Sequence, residues 1–137
     1  TTLNTKTRRV TIKKEPYLLS DTVGFIGKLP AYMIEAFNST LEELLYTNAV
    51  IVVIDSSDYL EDYEHKLRTC ISTLDRMGVE RSKMIFALNK LDLIPYEELE
   101  EKIAMVEDFG TRKIMTISAK TGENLEELKE LIARTID

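Results

Sequence analysis

The stretch KMIFALNKLD, residues 83–92, decides the fold. It runs an unbroken apolar segment, Met84 to Leu88, straight into a polar cluster. A short apolar run with abrupt polar ends suits a strand buried on both faces. The segment AVIVVID, residues 49–55, has the same design, and its β-branched content points to a central parallel strand covered on both faces. KIMTIS, residues 113–118, is a further strand. Helical patterns lie between these strands. Leu60, Tyr63, Leu67, Cys70, Ile71, Leu74 and Met77 mark one face of a helix that Gly78 is placed to end. Leu99, Ile103 and Val106 mark the next helix. Leu125, Leu128, Leu131 and Ile132 mark the last, with Asn124 and Glu127 spaced as a capping box. Strands alternating with helices require crossover connections, so the expected fold is α/β, a three-layer, mostly parallel sheet.

Working outward, RRVTIKK (8–14) alternates apolar and polar residues, the signature of a strand with one wet face. YLLSD (17–21) is a short apolar run. The two can pair as a hairpin across Glu15-Pro16. From Ala31 to Leu45 the spacing of Met33, Phe37, Leu41, Leu44 and Leu45 is helical.

The chain has 137 residues, 44% hydrophobic and 31% charged, which fits one soluble globular domain with a real core. No apolar run approaches the roughly 20 residues that span a bilayer, and no secretory signal pattern opens the chain. A single cysteine, Cys70, excludes an internal disulfide and a cysteine-based metal site, so a reducing compartment is expected. Cys70 lies on a helical apolar stripe and reads as a small core residue; His65 lies off that stripe and reads as surface. The net charge of −6 argues against broad nucleic-acid binding, and DNA is not an expected partner. The local basic runs TRR (7–9) and IKK (12–14) read as a solvated strand face.

In parallel α/β sheets, ligands bind beyond the carboxyl ends of the strands. Here those ends are SDTVG, IDSSD, LNKLD and ISAKTG. A carboxylate only accepts hydrogen bonds. Asp92 can therefore accept two parallel bonds from the ring N–H and exocyclic amine of guanine, whereas adenine lacks both donors in that place. Such a mismatch at a dedicated polar site discriminates by roughly 10⁴ or more. Asn89 can tie the base or the neighbouring loop. The alkyl stem of Lys90 can lie over a flat ring while its ammonium stays wet. In SAK, the small Ala119 lets its backbone N–H approach the guanine carbonyl, Ser118 can brace the loop, and Lys120 can cover the base from the other face. In DTVG, Asp21 can hold magnesium through water, and Gly24 lets its N–H approach a phosphate. Asp-x-x-Gly alone is a common pattern; followed by NKLD and SAK it is specific.

These residues resemble a translation-factor-class GTPase domain. The longer stretch LSDTVGFIGKLPAYMIEAFNSTLEEL (19–44) closely resembles the HflX family, as do TTLNTKTRR (1–9), VVIDSSD, NKLD and SAKTGENLEEL in their order. The resemblance covers essentially the whole chain. It implies a fold of the P-loop GTPase type and a cytoplasmic GTPase, with GTP or GDP and Mg²⁺ as cofactors and the large ribosomal subunit as partner. It implies Thr2 as the first-switch threonine that senses magnesium and the γ-phosphate, and Asp21, Thr22 and Gly24 as second-switch residues. Asn89, Lys90 and Asp92, helped by Ser118, Ala119 and Lys120, would read guanine.

Phe25 follows the Asp-x-x-Gly glycine, where Ras-like GTPases carry a glutamine that orients the attacking water. Phe25 cannot hydrogen-bond water, so slow intrinsic hydrolysis is expected unless a partner positions the water. The same residue serves equally as a packing residue. A phosphate loop, G-x-x-x-x-G-K-[ST], is not found: GFIGKL spaces its glycines too closely, and Leu29 follows the lysine. Residues 1–137 therefore read as the C-terminal portion of a GTPase domain starting at its first switch, without the first strand, phosphate loop and first helix. Alone, this portion is expected to bind nucleotide poorly and to be inactive. Two other readings stand beside this one. One is a non-catalytic, guanine-nucleotide-dependent binding module. The other is a receiver-type domain phosphorylated on Asp55, in which NKLD and SAK would have no role.

Overall fold

The computed structural model describes residues 7–20 and 46–136. Thr2, the second-switch residues Asp21, Thr22, Gly24 and Phe25, and the expected helix over 31–45 lie outside them.

Strands β1 (Thr7–Ile12) and β2 (Glu15–Ser20) form an antiparallel hairpin, with Thr7 opposite Ser20 and Ile12 opposite Glu15. The hairpin was expected, but its turn was not. The loop is Lys13-Lys14, with φ of 51° and 68°, and Pro16 lies within β2 opposite Thr11. Positive φ at both loop residues is the type I′ geometry, whose twist matches that of the flanking strands. The twist requirement prevails over the lysines' reluctance to enter the left-handed region, a cost of about 1–2 kcal/mol each.

Strands β3 (Val50–Asp55), β4 (Met84–Asn89) and β5 (Ile114–Thr116) form a separate parallel sheet in that order. Asp55 stands level with Asn89, and Leu88 with Thr116. The last strand is shorter than KIMTIS, although Ile117 N–H still donates to Leu88 O at 2.8 Å.

Helix α1 (Leu60–Arg76) connects β3 to β4, α2 (Tyr96–Glu107) connects β4 to β5, and α3 (Leu125–Ile136) follows β5. Tyr63, Leu67, Cys70, Ile71 and Leu74 of α1 and Val106 of α2 bury one face of the sheet, against Val52, Ile54, Met84, Phe86 and Leu88. Alternation along β4 turns Ile85 and Ala87 the other way. Both are fully buried, and α3 packs against β4 and β1. Burying a side chain the size of Phe86 or Leu67 contributes about 1.5–3 kcal/mol, so β4 anchors the molecule. Among the described residues, the expected double cover holds for β4 but not for β3: Val52 and Ile54 are buried, whereas Val53 is 58% exposed. A continuous apolar run reports that two faces suit cover without showing that neighbouring elements supply it.

The end of α1 follows its sequence signal. Gly78 adopts φ of 87°, its N–H donates to Asp75 O, and Val79 N–H reaches back to Leu74 O. These paired bonds satisfy carbonyls the helix would otherwise leave open. The capping box at α3 does not form. Asn124 sits at φ 63° and donates from Nδ2 to Thr116 O at 2.8 Å, so its side chain ties the loop to β5. Cys70 is buried and His65 exposed, as expected. Among the described residues, no helix is long and apolar enough to cross a membrane.

Candidate functional site

The parallel register brings three loops together at the carboxyl ends of β3, β4 and β5. They carry Asp55–Asp58, Asn89–Asp92 and Ser118–Lys120.

The loop after β4 turns sharply because Lys90 is left-handed, at φ 70° and ψ 35°. A non-glycine residue there carries strain of about 1–3 kcal/mol, which surrounding contacts must hold. They are present. Leu91 N–H donates to Ile117 O at 3.0 Å. Lys90 Nζ stands 2.7 Å from Asp55 Oδ2. Asp92 then falls within a short 3₁₀ turn, Leu91–Leu93, with its side chain exposed.

Two hydrogen bonds join this loop to the one after β5. Ser118 Oγ donates to Asp92 Oδ1 at 2.8 Å, and Ala119 N–H donates to Asn89 Oδ1 at 3.0 Å. Ser118 is fully buried, and its hydroxyl also accepts Thr121 N–H at 3.1 Å. Gly122, at φ 88°, closes the turn by donating to Ser118 O. Ser118 thus bridges to the loop after β4, and Asn89 to the loop after β5. Ala119 N–H is engaged by Asn89, so a ligand carbonyl would have to share or replace that bond. The charged end of Lys90 pairs with Asp55 while the side chain remains 47% exposed. Lys120 lies on the exposed rim beside Ala119.

Asp55 was legible only as the phosphate acceptor of a different fold. Partial burial alone would raise its carboxyl, but the hydrogen bonds from Lys90 and Ser57 prevail and lower it to about 2. Its Oδ1 accepts from both the N–H and the hydroxyl of Ser57, at 2.9 and 2.6 Å. The same pairing raises the Lys90 ammonium. Ser56, fully buried, donates its N–H to Asn89 O at 3.0 Å. The segment IDSSD was the signal for these contacts, although its spacing alone gives no partner.

The three loops therefore present an exposed carboxylate, a side-chain amide and a backbone N–H on a braced frame. That set complements a planar ligand edge with adjacent N–H donors and a carbonyl. Among the described residues, no cluster of three or more His, Cys, Asp or Glu could hold a metal ion. A surface hollow lined by Arg68, Ile71, Ser72, Asp75, Arg76 and Phe109 lies along the C-terminal half of α1, away from these loops.

The chain is similar to the GTPase HflX of Thermococcus kodakarensis, at 36% identity over 142 residues, covering 99% of this chain and 32% of that protein. It is also similar to the GTPase HflX of Methanocaldococcus jannaschii, at 36% identity over 132 residues, covering 96% of this chain and 32% of the relative. This chain thus spans about a third of the length of these relatives. Among solved structures, it resembles a GTP-binding protein from Sulfolobus solfataricus in complex with GDP, with a TM-score of 0.78 and 31% identity, covering 96% of this chain and 44% of that one. The elongation factor Tu GTP binding domain family matches residues 2–137, and the chain belongs to that family.

Proposed function

We propose that these residues form the guanine-reading and switch portion of an HflX-like GTPase. The observation that carries this reading is the pair of cross-links between strand ends, Ser118 to Asp92 and Ala119 to Asn89. A braced carboxylate discriminates because an unmatched acceptor facing it is costly. In this reading Asp92 accepts from the guanine N–H groups, and the guanine carbonyl shares the Ala119 N–H with Asn89 Oδ1. The stem of Lys90 and the side chain of Lys120 flank the ring.

Thr2, Asp21, Thr22 and Gly24 would serve the phosphates and magnesium. A hydroxyl and a carboxylate are the hard oxygen donors that Mg²⁺ takes, so Thr2 and Asp21 suit it in chemistry. The ion would neutralise phosphate charge. Phe25 offers no hydrogen bond to water, so hydrolysis would be slow until a partner supplies the missing group. The large ribosomal subunit is that partner by resemblance, and the cytoplasm the compartment. Phe25 is also what favours a second reading, a guanine-nucleotide switch without turnover. GTP hydrolysis by the full-length protein, with and without large ribosomal subunits, separates the two.

In this reading residues 1–137 carry no G-x-x-x-x-G-K-[ST] phosphate loop of their own. The 137 residues alone are accordingly expected to bind a fluorescent guanine nucleotide no tighter than the micromolar range.

Asp92→Asn tests the base reader in the full-length protein. The amide donates where the carboxylate only accepted, so preference is expected to move from guanine to xanthine nucleotides. Unchanged affinities for GTP and xanthosine triphosphate would remove Asp92 from the role.

A further inference from the structure

Lys102 is a charged residue in the wrong place for a surface helix. It lies on α2 at only 4% exposure, between Leu99 and Val106 on the buried stripe. Burying an ammonium is costly unless it is paired and hydrogen-bonded. The partners here are backbone carbonyls. Lys102 Nζ donates to Ser56 O at 2.6 Å and to Asp58 O at 2.5 Å. It also stands 5.2 Å from the centre of the Tyr63 ring. Tyr63, fully buried, donates its hydroxyl to Lys102 O at 2.8 Å, which fixes α2 to α1 at the same residue. Burial pushes the Tyr63 phenol well up, so it remains a donor.

An aliphatic side chain would fill this space without a buried charge. The cation adds a fixed position for the loop after β3. Lys102 grips that loop from behind, at Ser56 and Asp58. From its front, Ser56 N–H holds Asn89 O at 3.0 Å, and Asp55 holds Lys90 Nζ at 2.7 Å. Asp58 is held again by Lys66 at 2.8 Å. The chain of contacts runs from α2 through the loop to Asn89 and Lys90, with each link a hydrogen bond or ion pair.

We infer that Lys102 is a positioning residue for guanine recognition. It sets the height of the Asp55–Asp58 loop, which in turn holds the left-handed Lys90 turn and so aims Asp92. This inference rests on the guanine-site reading. Neither Asp55 nor Lys102 need touch the base.

The test measures dissociation of a fluorescent GDP from the full-length protein in stopped flow, for Lys102→Met, Asp55→Asn and the pair. Each single change is expected to speed dissociation about tenfold. Because both act on one chain of contacts, the pair should also give about tenfold, not a hundredfold. Dissociation within twofold of wild type in Lys102→Met, or effects of the two changes that multiply, would overturn the inference even if thermal stability fell. If Lys102→Met does not fold, Asp55→Asn at the other end of the chain of contacts carries the test, and a wild-type dissociation rate there would overturn it equally. Asp92→Asn serves as the separate arm. If it turns the protein toward xanthine nucleotides while Lys102→Met leaves dissociation unchanged, the base site stands and this inference alone falls. If Asp92→Asn leaves the preference for guanine intact, the underlying reading falls.

Discussion

Replacing Ser118 by alanine deletes one oxygen that makes two hydrogen bonds. That oxygen donates to Asp92 Oδ1 at 2.8 Å and accepts Thr121 N–H at 3.1 Å. A bond to a charged group contributes about 1.5–3 kcal/mol and a neutral one about 1. Both partners are exposed residues, so water can replace part of each bond. The net loss of stability should therefore be modest, about 1–2 kcal/mol. The effect on ligand binding is of a different kind. Without Ser118, the Asp92 carboxylate can rotate, and a two-bond match to a planar edge depends on its orientation. Losing about 1.4 kcal/mol of that match is tenfold in affinity. It should appear chiefly as faster release, because association rates vary little among variants of one site. The assay is displacement of a fluorescent GDP from the full-length protein, with Ser72→Ala on the exposed side of α1 as control. A Ser118→Ala release rate within twofold of wild type, with the control equally unchanged, would refute the claim that Ser118 aims Asp92.

Two further outcomes follow from the described geometry. Lys13→Asn with Lys14→Gly gives the type I′ turn the residues that favour it, and the strands need not change. Stability should rise by about 1 kcal/mol, or roughly 3–5 °C in Tm by calorimetry; an unchanged or lower Tm would count against the turn. The pH dependence concerns Asp55, whose carboxyl is lowered from 3.8 to about 2 in the fold. A depressed carboxylate stabilises the fold above its unfolded value, and that contribution is lost as pH falls through the folded value. Solvent screening at this partly exposed pair reduces the contribution to about 1 kcal/mol. Urea unfolding should thus find Asp55→Asn less stable than wild type by about that amount at pH 6, with the gap closing between about pH 4 and 2. A gap that stays constant over that range would refute the assignment.

The parallel sheet was legible because its strands are buried runs with abrupt polar ends. Met84 to Leu88 is fully buried, and the polar residues begin at Asn89. The site was legible for a related reason: strand ends in register place NKLD beside SAK whatever the loops do in detail. What escaped were features made by contacts distant in sequence. Lys102 reads as surface on its own helix, and only carbonyls 46 and 44 residues away make its burial tolerable. Asn124 carries a cap signal, but its backbone is left-handed at φ 63° and its Nδ2 donates across to Thr116 O, which ties it to β5. The hairpin turn was placed too late because Pro16 is strong local punctuation, whereas two left-handed lysines contradict turn preferences and are fixed by the pairing of the strands.

The role of Asp55 follows from the same accounting of oxygens. A phosphate acceptor needs a carboxylate oxygen free to attack. Here Oδ1 takes the N–H and hydroxyl of Ser57, and Oδ2 takes the Lys90 ammonium. Phosphorylation would have to compete with these contacts. The arrangement makes better sense as support for Lys90. A left-handed lysine is strained, and its side chain must be drawn somewhere to hold the turn. Asp55, level with Asn89 in the neighbouring strand, is the residue the register delivers to that place. The strain at Lys90 and the acidity of Asp55 are then two sides of one contact, which fixes the direction in which Asp92 leaves the sheet.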